Sequence, residues 1–64
     1  MPWTRDYYPV SMRHLSAVTR EKAIEIANAL LAEQMEEGMA IRVAISRAKQ
    51  WAQGRGLPIA EEED

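Results

Sequence analysis

The side chain best suited to chemistry at neutral pH is His14, the one histidine of the chain, because imidazole titrates there without help from its surroundings. Ser11 lies close by in sequence, yet a nucleophilic serine needs a base that is itself oriented by an acid, and no such order surrounds it. A loop histidine is the expectation. Cysteine is absent, which removes thiolate nucleophiles, thiolate metal ligands and disulfides. The carboxylates of AEQMEEG, residues 32–38, lack the spacing of a calcium loop and read as a solvated face. No catalytic, metal-ligating or cofactor-binding residue is assigned, no small-molecule substrate is apparent, and the chain reads as a non-enzyme.

Two binding chemistries remain. The first is contact with protein: Met39 and Val43 lie a turn apart outside the apolar stripe of their helix, beside Gln50, and with Tyr7 or Tyr8 they can form an apolar patch. Methionine and tyrosine are favoured contact residues. A non-catalytic interaction or regulatory module, with a protein partner or a second copy of itself, is the leading expectation. The second is nucleic acid, since two helices joined by a short turn have the outline of a helix-turn-helix unit. Arg13, Arg42, Lys49 and Arg55 would reach phosphates, but only Ser46 and Gln53 offer base-reading groups on that face. A net charge of −2 and the terminal EEED oppose binding to a polyanion. This is the alternative reading.

The elements that must position these groups are legible from periodicity. Ala23, Ile24, Ala27, Leu30 and Leu31 recur at helical spacing within Ser16–Glu36, with Ser16 as N-cap and Leu15 as half of a hydrophobic staple. Ile41, Ala44, Ile45, Ala48 and Ala52 share a face of a second helix from about Glu37 to Gln53, with Ala40 and Trp51 on its margin and Gly54 as its C′ residue. Two placements of the turn are open. Gly38 can close the first helix, or the break falls at Gln34–Glu36, which is favoured because it brings Glu36 and Glu37 to a helix N-terminus.

Alanine dominates both inner faces, so the helices can approach closely but bury little area per residue. Such a hairpin cannot shut out water alone. Three of the four aromatic residues, Trp3, Tyr7 and Tyr8, lie in MPWTRDYYPVSM, residues 1–12, and each ring can bury about 150–250 Å². The fold expected is therefore all-α: an N-terminal aromatic arm with a short helical turn near residues 11–15, packed on a two-helix hairpin. The core expected is Trp3, Ile24, Ala27, Leu31, Ile41, Ala44, Ile45, Ala48 and Trp51, with Trp51 meeting the arm. Asn28, bordering the apolar face, is placed to hydrogen-bond the arm's backbone.

Sixty-four residues make one domain, and a chain this short buries only about 60% of its unfolded surface. Residues 1–56 are expected to form it, with 57–64 a flexible acidic tail whose Leu57 and Ile59 can fold back onto the hairpin. Charge is segregated: residues 21–37 carry −4 and residues 38–56 carry +4, which suggests attraction between neighbouring segments. No apolar run approaches the roughly 18 residues needed to span a bilayer, and MPWTRD lacks an apolar signal core. Cytoplasmic location without membrane insertion is the expectation.

The segments MPW, DYYPVSM, REKAIEIANALL, EEGMAI and AKQWA, in this order over residues 1–53, resemble a group of short bacterial proteins of unknown function and the N-terminal domain of YdaT-type proteins. A more distant similarity is to the ChaB family, through the opening MP, the proline-centred arm and an Asn like Asn28. The resemblance implies a small three-helix array and, from the ChaB label, a putative cation-transport regulator with no catalytic residue. The chain departs from the common pattern at Gln34 and Met35, where Gly-Tyr is usual, and at Met39, where Arg is usual.

Overall fold

The computed structural model describes residues 2–60. A 3₁₀ turn, Val10–Met12, is followed by two α-helices, α1 (Ala17–Ala32) and α2 (Glu37–Gly54), and no strand is formed among the described residues. Neither helix is long and apolar enough to cross a membrane.

Each boundary has a local cause. Ser16 caps α1, its hydroxyl accepting from the Thr19 amide at 3.4 Å. The helix then stops at Ala32, four residues before the end expected from periodicity. There Gln34 takes a φ of 74°, the left-handed conformation that lets its amide reach Leu31 O at 2.9 Å and the Met35 amide reach Leu30 O at 3.1 Å. This pair of bonds is a Schellman closure built on glutamine. The turn therefore falls at Gln34–Glu36, and Gly38 lies inside α2. The left-handed conformation costs a residue with a Cβ about 1–2 kcal/mol. Gln34→Gly is expected to stabilise the domain by about 1 kcal/mol, read as a higher urea midpoint at unchanged m-value.

Glu36 starts α2 as its N-cap, its carboxylate accepting from the amides of Gly38 and Met39 at 3.0 Å each. These two bonds, first that of Gly38 and then that of Met39, hold the carboxyl below its ordinary range, with the Arg42 charge adding a smaller pull. At the far end the expected C′ glycine, Gly54, is still helical. Gly56, at φ 69°, makes the closure instead: its amide bonds Gln53 O at 3.2 Å and the Leu57 amide bonds Ala52 O at 2.9 Å. One residue sets the difference, because Arg55 serves as C-cap and only the next position needs the conformation that glycine adopts freely.

The helices meet through alanines. Ala23 and Ala27 of α1 and Ala40, Ala44, Ala48 and Ala52 of α2 are all fully buried. The arm supplies bulk: Trp3, Met12 and Leu15 join Ala23, Ile24, Ala27, Ala44 and Ala48 in one core, and Met12 is among the largest side chains with no exposure. Leu31, Ile41 and Ile45 border this core, half-buried against it. Trp51 does not belong to it. Its ring is half-exposed, with the Lys22 ammonium and the Arg55 guanidinium each 5.1 Å from its centroid. It sits at the margin of the α2 apolar face, where cations can reach it, and it has these partners rather than the arm.

Residues 57–60 are tied down. The Pro58 carbonyl accepts from the hydroxyls of Ser16 at 2.6 Å and Thr19 at 2.7 Å, and the Ser16 amide donates to Ile59 O at 2.9 Å. An isolated bridge pairs Leu15 with Ala60. The packed body thus runs through Ala60, past the boundary expected at residue 56, and the acidic residues 61–64 lie outside the described residues. The helix N-cap explains this: the Ser16 hydroxyl has a proton to donate as well as a lone pair for the helix, and the Pro58 carbonyl takes the proton.

Candidate functional site

The surface begins with how the arm is fixed. Thr4 and Tyr7 close a tight turn, Thr4 N to Tyr7 O at 2.8 Å and Tyr7 N to Thr4 O at 3.1 Å. Behind it, the Asn28 carboxamide grips the backbone of Trp3 at both ends, accepting from its amide at 3.3 Å and donating to its carbonyl at 3.0 Å. A carboxamide offers one donor edge and one acceptor edge, so it mimics a strand neighbour for a single residue. Asn28 is itself buried, and the pairing spares both backbone groups an unsatisfied burial.

Arg20 fixes the arm's other end. Its Nε donates to Met12 O at 3.1 Å, and its Nη2 to Arg13 O at 3.0 Å and Leu15 O at 2.7 Å, while its guanidinium lies 4.8 Å from the centroid of the Tyr8 ring. Sequence reasoning missed this residue. The available signal was electrostatic: a cation near a helix N-terminus opposes the helix dipole, so Arg20 there implies a compensating tertiary role.

With the arm seated, a groove of about 660 Å³ opens between it and the outer face of α1. Trp3, Ile24, Ala29 and Ala32 give it apolar walls, and Arg5, Glu21 and Glu25 stand on its rim. Arg5 pairs with Glu21 at 3.3 Å, and Lys22 with Glu25 at 3.2 Å. The first pair is exposed on both sides and the second on its Glu25 side, with Lys22 half-buried, and each is worth at most about 1 kcal/mol. The helix period builds the groove, since Ile24 and Asn28 are four apart beneath the arm while Glu21, Glu25, Ala29 and Ala32 run along the neighbouring free face.

The four expected protein-contact residues are placed unequally. Tyr7 is 71% exposed on the arm's turn and Met39 is 43% exposed near the start of α2. Val43, one turn on, is half-buried. Tyr8 is half-buried against the core beneath Arg20, so it belongs to the body of the domain. Of the expected nucleic-acid contacts, Arg13, Arg42 and Lys49 are exposed, and Arg42 and Lys49 share the outer face of α2. Arg13 sits after the 3₁₀ turn, and Arg55, also exposed, lies against Trp51. The attraction expected between the charged segments forms no α1–α2 ion pair among the described residues. His14 is exposed, and no cluster of three or more His, Asp or Glu side chains forms among the described residues.

No family model and no solved structure matches the chain. Over 53 residues it is 51% identical to the uncharacterized protein YdaT of Bacillus subtilis (strain 168), an alignment covering 83% of this chain and 35% of that protein. The chain spans about a third of the length of the curated relative it matches. Over most of its length, then, the chain is similar to one part of YdaT.

Proposed function

We propose that the domain is a non-catalytic protein-interaction or regulatory module whose working surface is the groove between the arm and α1. One observation carries the reading: a domain with little apolar material to spare leaves Trp3, Ile24, Ala29 and Ala32 lining an open groove of about 660 Å³. Apolar concavities rimmed by polar groups are the usual form of a recognition site. The ChaB resemblance points the same way and gives the finer form of the proposal, a regulator of cation transport.

Nucleic-acid binding through α2 is the second reading, favoured by the exposed Arg42 and Lys49 on one face. Column capture from cell extract separates the two. Wild-type chain is expected to retain protein through nuclease treatment, and Ala29→Lys, which fills the groove from an exposed position, is expected to lower that retention at least about tenfold. Retention of nucleic acid that is lost in salt or on Arg42→Glu, with Ala29→Lys harmless, overturns the proposal for its rival.

A further inference from the structure

We infer that the groove receives the outer face of α2 from a second copy of this chain, in a head-to-tail contact. The inference rests on the groove reading above and names its occupant. The groove couples apolar walls to a rim on which Glu21 and Glu25 outnumber Arg5, a net charge of −1. The face of α2 is its complement. Met39, 43% exposed, and Val43 form a short apolar stripe at i and i+4, and Arg42, Arg47 and Lys49 surround it on the segment of net charge +4. These three cations are exposed and form no ion pair among the described residues, Arg42 exerting only a weaker pull on Glu36. Glu21 is held by the exposed, exchangeable Arg5 and Glu25 by the half-buried Lys22.

Within one chain the two surfaces cannot meet. At about 100° per residue, Ala29 points away from Ala27 and Met39 away from Ala44, and the buried alanines hold the seam between α1 and α2. Both surfaces therefore face outward on opposite sides of that seam. Complementary patches at different places on one molecule produce a heterologous contact, which goes on adding copies unless the rotation closes a ring. A chain too short to build a large core has the most to gain from such a partner.

Sedimentation of the full chain tests this, with circular dichroism confirming that each variant is folded. Wild type is expected to show a mean mass that rises with concentration past that of two chains, weakened about tenfold or more between low and 0.5 M salt. Ala29→Lys blocks the groove and leaves the stripe; Met39→Asp blocks the stripe and leaves the groove. Each alone is expected to be a monomer, and an equal mixture is expected to form a species of two chains and no larger, since one good contact survives. A wild type that stays monomeric overturns the inference, as does self-association that persists in Ala29→Lys. If either occurs while groove-dependent capture of another protein remains, the interaction module stands and only its occupant is wrong. If Ala29→Lys alters neither association nor capture, both readings fall.

Discussion

Trp3→Ala is expected to cost about 3–5 kcal/mol, the usual price of removing a large buried aromatic side chain. A domain of this length holds on the order of 3–10 kcal/mol in all, so the variant should be largely unfolded at modest urea concentrations. The argument starts from the alanines. Six of them make the α1–α2 seam without any exposure, and each contributes only one buried methyl. Trp3, at 8% exposure, covers the edge of that seam beside Ile24. Removing the ring leaves the Asn28 clamp on the Trp3 backbone chemically intact, so the loss measures burial rather than hydrogen bonding. Trp3→Phe should recover more than half of it. Urea titration followed by far-ultraviolet circular dichroism reads both.

Arg20→Met is expected to cost about 2–4 kcal/mol in the same titration. Methionine keeps an unbranched apolar stem but removes the donors to the Met12, Arg13 and Leu15 carbonyls, each a charge-assisted bond worth about 1.5–3 kcal/mol when well shielded. Partial exposure of the site lowers the sum. Arg20→Lys should recover only a fraction, because an ammonium cannot reproduce a planar fork that spans three carbonyls. Loss of the fork should also loosen Met12, which is fully buried and sits at the end of the 3₁₀ turn that these bonds hold.

What the sequence makes legible follows from the range of the forces involved. The all-α hairpin is written locally: apolar residues at helical spacing, Ser16 before α1, acidic residues at the start of α2. The arm over the alanine faces follows from a volume argument, and the structure places Trp3 and Met12 where that argument requires. Asn28 was readable because a carboxamide on the edge of an apolar stripe must find partners. Trp51 was misplaced by the same logic. An indole at the margin of a stripe looks like core, and only the positions of Lys22 and Arg55 make it a ring flanked by cations.

The less legible parts depend on contacts distant in sequence. Pro58 meets Ser16 and Thr19 across 42 and 39 residues, and nothing in GLPIA signals that its carbonyl will be claimed. Gly54 and Gly56 differ only in which side of Arg55 they stand, a distinction finer than propensity resolves. The groove is a product of the arm and α1 together, so neither segment announces it, and the expected contact residues Tyr7, Met39 and Val43 all lie off its walls.

Amide hydrogen exchange at Trp3 tests the central claim most directly, since its N–H is bonded to the Asn28 side chain from 25 residues away. If the arm is the lid that completes the core, this amide opens only when the whole domain does, and its protection should match that of Ala27 and Ala48 as denaturant is added. Exchange at the rate of a free loop, with α1 and α2 still fully protected in a monomer, would mean that the alanine seam stands without its cover.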